Sequence, residues 1–315
     1  ANGYSLRSKL FAYNTKLNKI GSAVSGLTNG IYSSKFLSGI VKKTAGVAKA
    51  RSLPKVYSFN FDKILLSFKK EHVTSNKHVV LYIDEFTKYL DIELGQDAIE
   101  VLTKLGYEVE LFYGESGRTY LSKGFLKQAK KLAQKNIPKL KEFATKGYPV
   151  IGLEPSAILT FRDEYKRLSE DKEATDAIAN NVFLIEEFLS QEIKMGNVIK
   201  DQFTKEAKTI KIHGHCHQKA LSNQKVTFDV LNLPENYTVS IISSGCCGMA
   251  GSFGYEKEHY EISMQIGELK LFPSIRKTET DVIISANGTS CRHQIYDGTQ
   301  RRAKHPITIL REALV

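Results

Sequence analysis

The sequence predicts an α/β protein built as two pseudo-symmetric halves, each a parallel sheet with crossover helices, preceded by a helical N-terminal arm. Three observations predict it. Short β-rich apolar runs alternate with longer helical stretches from residue 78 onward, the pattern of parallel strands joined by helices. The same series of elements occurs twice. The whole net charge of +11 sits in front of both: residues 1–75 hold thirteen Lys and Arg against Asp62 and Glu71, leaving 32 basic and 32 acidic residues in the rest.

In the arm, Leu6, Leu10, Phe11, Leu17, Ile20, Val24 and Leu27 recur at helical spacing with Lys and Arg between them, so one face is expected to pack on the body while the other presents cations. Pro54 and the stretch 51–60 break that pattern. The first half, 76–170, reads as strands Val79–Ile83, Tyr107–Tyr113 and Pro149–Leu153 with a long Lys-rich helix over 119–146. Acidic helical sequence is expected to connect the halves over 171–205. The second half, 206–315, repeats the order with strands Thr209–His213, Tyr237–Ile242 and Asp281–Ala286.

A 42% hydrophobic content in 315 residues supplies buried cores and excludes disorder or a coiled coil. An electrically balanced body argues against a nucleic-acid enzyme with a basic groove, and marks the arm as an attachment segment. No window approaches a membrane-spanning run, so a cytoplasmic location is expected, with peripheral membrane contact left open. The start at Ala1 without Met suggests a piece of a longer polypeptide.

All four cysteines lie in the second half, at Cys216, Cys246, Cys247 and Cys291, each in a loop at the carboxyl end of an expected strand, where open parallel sheets collect ligands. A spacing of C-x29-C-C-x43-C is too wide for a zinc finger and suits a site assembled by the fold. Thiols in a cytoplasmic chain point to metal or redox chemistry rather than a disulfide framework. The bland reading is that they are small buried apolar residues. His213, His215 and His217 flank Cys216, and His293 follows Cys291 by two residues. Imidazole beside thiolate keeps zinc open as well as iron-sulfur, with His217 and His293 as alternative ligands or hydrogen-bonding neighbours of the site. The loop Gly248-Met-Ala-Gly251-Ser-Phe-Gly254 opens toward a helix. Its N–H groups suit an anionic cluster, whereas it lacks both the dinucleotide G-x-G-x-x-G and a following Walker lysine.

The segments His215-Cys-His-Gln-Lys-Ala-Leu221, Ser244-Gly-Cys-Cys-Gly-Met-Ala-Gly-Ser-Phe-Gly-Tyr255 and Asn287-Gly-Thr-Ser-Cys-Arg-His-Gln-Ile295 resemble the cysteine-rich CCG domain. That domain occurs in a subunit of heterodisulfide reductase, in the iron-sulfur subunits of glycerol-3-phosphate and glycolate dehydrogenases, and at the C-terminus of FAD-linked oxidases of the D-lactate dehydrogenase type. Stretches similar to the last group also appear at Thr87–Gly95, 117–126 and 152–164, so the resemblance covers about residues 78–315. It implies two similar halves and a cysteine-bound 4Fe-4S cluster, or zinc. It further implies electron transfer from an FAD-bearing domain carried elsewhere in the parent protein to an acceptor, since nothing in this chain would bind FAD itself. A docking domain held by structural zinc is the alternative; a zinc hydrolase lacks an assignable base.

The departures from the CCG pattern limit those implications. A full copy carries a lone cysteine, an adjacent pair and a closing C-x-x-C. Gly288 stands at the first position of the closing pair. In the first half Glu115 and Ser116 stand in place of paired cysteines, and Ala157 at a position often cysteine, so that copy is expected to bind no cluster.

Overall fold

The computed structural model describes residues 3–72 and 77–315. The boundary expected at residue 75 and the start at Ala1 both lie outside the described residues. The arm is α1 (Leu6–Ala12), α2 (Asn14–Ala23), α3 (Ser25–Ser33), α4 (Lys35–Ala45) and, after an irregular stretch over 46–60, α5 (Phe61–His72). Ser5 and Ser34 cap α1 and α4 by accepting from Ser8 N and Leu37 N, and α4 stops at Gly46, whose φ of 65° is left-handed.

The first sheet holds β1 (His78–Ile83), β2 (Glu108–Tyr113), β3 (Val150–Gly152) and β4 (Val182–Leu184), all parallel in the order β2-β1-β3-β4. Its helices are α6 (Glu85–Tyr89), α7 (Ile92–Lys104), α8 (Arg118–Ser122), α9 (Leu126–Thr145), α10 (Pro155–Arg162), α11 (Tyr165–Leu168) and α12 (Lys172–Asn181). After α13 (Ile185–Lys194), the second sheet holds β5 (Lys208–His213), β6 (Tyr237–Ile241) and β7 (Ile283–Ala286) in the order β6-β5-β7, again parallel. Its helices are α14 (Cys216–Leu221), α15 (Lys225–Leu231), α16 (Tyr260–Leu269), α17 (Leu271–Arg276), α18 (Thr289–Thr299) and α19 (Pro306–Ala313).

The order 2-1-3 of the first sheet is thus repeated as 6-5-7 in the second, as expected for two similar halves. The stretch expected as a helical connection contains β4, which pairs with β3 as a fourth strand. Three residues, Val-Phe-Leu, are too few to establish a period of two against the helices on either side.

Alternation along β1 distributes the core. Val79, Leu81 and Ile83 face one way and join Ile151 of β3, Ile210 and Ile212 of β5, and residues of α7, α13, α15 and α19 in a single apolar cluster shared by both halves. Val80 and Tyr82 face the other way, against α9, α10 and α12. A third cluster lies between β7, α17, α18 and the loop after β6, and contains Cys247 and Cys291.

The arm clasps both halves. Tyr4 stacks on Phe125 with ring centroids 3.8 Å apart and donates to Gly124 O at 2.8 Å, while Ala12 packs with Tyr120 and Ala129. On the other side Arg51 is fully buried. Its Nε donates to Gly254 O at 2.7 Å, Nη1 to Gln294 Oε1 at 2.6 Å and Asp297 Oδ2 at 3.2 Å, and Nη2 to Ser263 Oγ at 2.8 Å. Removing one partner of a buried charge pair leaves the other uncompensated. Arg51→Ala is therefore expected to destabilise the protein by about 3–5 kcal/mol in urea unfolding; a loss under about 1 kcal/mol would contradict the reading that Arg51 ties the arm to the second half.

A second expectation concerns buried carboxyls. Burial raises the pKa of Asp84 to about 8, with Glu85 beside it adding to the shift. Between the unfolded value near 4 and about 8 the folded chain keeps a proton that the unfolded chain has released, so this group's contribution to stability falls as pH rises. Asp84 Oδ1 also caps α6 by accepting from Phe86 N and Thr87 N, a role asparagine can fill. Stability of the parent minus that of Asp84→Asn should fall by roughly 1 kcal/mol per pH unit across that window. A flat difference curve by urea unfolding would show that Asp84 is ionised in the fold.

Candidate metal centre

The ends of β5, β6 and β7 bring the four thiols together. Cys216 opens α14 and Cys291 lies in the first turn of α18, where a helix N-terminus favours a thiolate. Cys246 and Cys247 lie in the loop after β6. None is in a disulfide. Cys216 lies beside Cys246, Cys246 beside Cys247, and Cys247 beside Cys291, so the sulfurs form a row. Interaction with the neighbouring sulfur holds the Cys246 and Cys291 thiols far below their ordinary pKa and pushes Cys216 and Cys247 up. Gly248 N adds a donor to Cys246 Sγ at 3.2 Å.

The row ends on His213, which the sequence pattern did not single out as a ligand. A ring nitrogen of His213 and the sulfurs of Cys247 and Cys291 lie within 4.8 Å of one another, and all three residues are buried. Nδ1 pairs with Ser244 Oγ at 2.8 Å, while Nε2 is buried without a hydrogen bond. A buried imidazole nitrogen left open beside two sulfurs is suited to a metal. The signal was in the alternation of His213 and His215 around Gly214, but sequence alone does not reveal which ring turns inward.

His215 occupies the place of the absent fifth cysteine. A Cβ built on Gly288 would lie 2.3 Å from His215 Cδ2, so the imidazole fills the space a side chain at 288 needs. Nδ1 of His215 accepts from His217 N at 3.1 Å, capping α14, and Nε2 lies 3.9 Å from Glu154 Oε1. Burial alone would raise the Glu154 pKa, but His215, the Thr289 N–H and Ser156 hold it below its ordinary value. Glu154 accepts from Ser156 N at 3.1 Å in its own half and from Thr289 N at 2.8 Å in the other.

A cavity of about 460 Å³ lies over the thiols. Phe11 and Asn14 of the arm, Arg118 and Glu154 of the first half, and all four cysteines line it, together with His217, His293 and Gly251. Burial and the nearby Arg118 pull the His217 pKa down to about 4, and its ring lies 5.4 Å from that of His215. His293 Nδ1 pairs with Tyr255 OH at 3.2 Å. His217 and His293 therefore stand at the cavity, while His213 stands among the sulfurs.

The three glycines play different parts. Gly248 has φ 96° and approaches Ser263 O so closely that a Cβ would lie 2.1 Å from it; Gly254 would meet Ser263 Oγ at 2.5 Å. These two let the loop pack on α16. Gly251, with φ 65°, lines the cavity.

In the first half, the equivalent space is filled by carboxylate and hydroxyl. Glu85 accepts from Ser116 N at 2.8 Å and Ser116 Oγ at 2.6 Å, Ala157 is buried, and Glu154 caps α10 where Gly288 caps α18.

The family described as a cysteine-rich domain, CCG, matches residues 210–296, the span that carries this row of thiols. Residues 210–296 are a CCG domain. The chain is 27% identical over 315 residues to a subunit of the anaerobic glycerol-3-phosphate dehydrogenase of Escherichia coli K12, an alignment covering 98% of this chain and 78% of that protein. It is 29% identical over 239 residues to the D-2-hydroxyglutarate dehydrogenase of the same organism, covering 75% of this chain and 22% of that protein. It is 26% identical over 234 residues to lactate utilization protein A 1 of Bacillus mycoides, covering 69% and 87%. These relatives are named as a dehydrogenase, a subunit of a dehydrogenase and a lactate utilization protein.

The fit at Gly288 gives a direct test of the CCG domain's missing thiol. Gly288→Cys should destabilise by about 1–3 kcal/mol, because His215 is already in the space. Adding His215→Ser, which clears the ring and keeps an N-capping oxygen, should recover most of that loss in thermal unfolding. Equal stability of the single variant and the parent would mean that His215 swings away freely.

Proposed function

We propose that this chain is an iron-sulfur electron-transfer module of a FAD-linked 2-hydroxyacid oxidoreductase, with its flavin on another part of the parent protein. The observation that carries the reading is the row of four thiols ending on the imidazole of His213, at the floor of a cavity walled by both halves and the arm. Four thiolates fit a 4Fe-4S cluster, which accepts and passes on single electrons when bound. Cys216, Cys246, Cys247 and Cys291 would hold it, with His213 completing the set where Gly288 has no side chain. His217 and His293 would line the approach of an acceptor.

The residues around the site then have definable work. Gly248 N–H, directed at Cys246 Sγ, stabilises negative charge on sulfur and raises the reduction potential. The helix N-termini at Cys216 and Cys291 act in the same sense. Arg118 lines the cavity wall, fixed by Ser156 O at 2.9 Å and Thr160 Oγ1 at 2.8 Å and ion-paired with Glu164 Oε1 at 2.5 Å, so it offers an acceptor a positioned N–H donor set rather than a free charge. Exposed Cys216 is the edge of the row nearest to solvent. The relatives' names point to glycerol 3-phosphate, D-2-hydroxyglutarate and lactate, which supports a hydroxy-substituted small molecule as the parent protein's electron source.

One observation favours a second reading. His213 with Cys247 and Cys291 is also the start of a mixed sulfur and nitrogen tetrahedron, as structural zinc sites use, and zinc there would make the chain a docking domain. Anaerobic purification separates the two: iron with inorganic sulfide and a broad visible absorption supports the first, and a colourless protein with one zinc per chain supports the second.

Under either metal, Cys246→Ser combined with Cys247→Ser should abolish metal content, since the first half offers no thiol. Retention of half of a redox-active iron population would place a cluster in the first half. His213→Ala should lower metal content or alter the spectrum, whereas His217→Ala and His293→Ala should leave both intact; the reverse pattern would move the nitrogen ligand to the cavity histidines.

A further inference from the structure

The arm wears its large apolar side chains on the outside. Leu17, Ile20, Val24 and Leu27 recur at three- and four-residue spacing from α2 into α3, with Ile20 and Leu27 each 68% exposed. Phe36, Leu37 and Ile40 continue the series on α4, and Phe36 is 76% exposed. What these helices bury is small or polar: Ala12, Thr15, Ser22 and Ser38. A helix that packs its apolar stripe on a core shows the opposite arrangement. The packing face expected from the sequence is therefore the face turned away from the body.

The charge around this face decides what would cover it. Residues 1–61 contain neither Asp nor Glu, and Lys9, Lys16, Lys19, Lys35 and Lys43 are exposed on the same helices. Protein interfaces are depleted in Lys, whose ammonium is costly to bury. A bilayer surface takes the opposite mixture, because apolar side chains enter the headgroup boundary while lysines extend to anionic lipid phosphates. No helix among the described residues is long and apolar enough to cross a membrane, and a helix lying in the interface does not need to be.

We propose that α1 to α4 form a platform by which the protein lies on an anionic lipid bilayer, with Leu17, Ile20, Leu27 and Phe36 inserted at the headgroup level. The platform is fixed to the body through Tyr4 on Phe125, through Thr119 Oγ1 donating to Ala12 O at 3.0 Å and, farther along the arm, through Arg51. Phe11, Asn14 and Asn18 on α1 and α2 also line the cavity above the thiols, so the helices that meet the lipid form one wall of the redox site.

The test is co-sedimentation of the full chain with large vesicles of phosphatidylcholine, alone or with roughly a third phosphatidylglycerol. The parent should pellet with the anionic vesicles on the order of tenfold more than with neutral ones, and high salt should weaken the binding without abolishing it. Leu17→Ser, Ile20→Ser and Leu27→Ser combined should lower the partition by roughly tenfold or more, with an unchanged circular dichroism spectrum and thermal midpoint, because these side chains touch solvent in the fold. Lys16→Glu with Lys19→Glu should abolish the preference for anionic vesicles. Failure of the parent to pellet, or equal binding by the triple serine variant, would overturn the proposal. So would a concentration-dependent dimer that the same serine substitutions dissolve, which would assign the face to a second copy of this chain.

Discussion

The guanidinium of Arg51 sits where the arm, the glycine loop and two helices of the second half meet. It joins Gly254 of the loop that follows the cysteine pair, Ser263 of α16, and Gln294 and Asp297 of α18, the helix that carries Cys291. Gln294 in turn donates to Ser263 O at 3.0 Å. Loops that present ligands are short of apolar packing, because their backbone must stay open toward the site. A buried cation with its planar set of donors satisfied supplies the rigidity that apolar side chains supply elsewhere. The thiols are thus held in place from behind by a residue that lies far ahead of them in the chain, in the arm.

Both halves carry the same scaffold with different chemistry at the carboxyl ends of their strands. In the first half the residues after β1 and β3 are Asp84 and Glu154, each capping the helix that follows. In the second half the corresponding caps are His215 and Gly288. Carboxylates and hydroxyls satisfy one another in the first half, as in the bonds from Ser116 to Glu85. The second half sets sulfurs beside one another, with Gly248 N donating to Cys246, and leaves Nε2 of His213 without a hydrogen bond. Glu154 connects the two ends: it is held ionised while buried because Thr289 N, Ser156 N and His215 surround it. One end therefore serves as a support for the other.

The arm shows how far periodicity can be read. Its spacing of apolar residues from Leu6 to Leu27 was sufficient to read the stretch as helical, and α1 to α3 lie within that span. The direction of the apolar face was not in the spacing. The contacts that fix it, Tyr4 on Phe125 and Ala12 against Tyr120 and Ala129, are made by residues at the edge of the stripe. A stripe of leucines states that some apolar surroundings exist, not whether protein or lipid provides them.

The sequence by itself determined the class of fold, the positions of all the strands among the described residues except β4, the pseudo-repeat and the half that carries the thiols. These depend on local alternation and on cysteine positions, which tertiary contacts do not alter. The short strand β4 was not legible, because three apolar residues between helices have no period, and only pairing with β3 makes them a strand. Nor was the choice among histidines. His213, His215 and His217 alternate along one segment, and their different roles come from what each ring meets: Ser244 and the sulfurs for His213, the space over Gly288 and the carboxylate of Glu154 for His215, and the cavity beside Arg118 for His217. Those partners are brought in by β6, β7 and the first half from distant parts of the sequence, and contacts of that range exist only once the two sheets are packed.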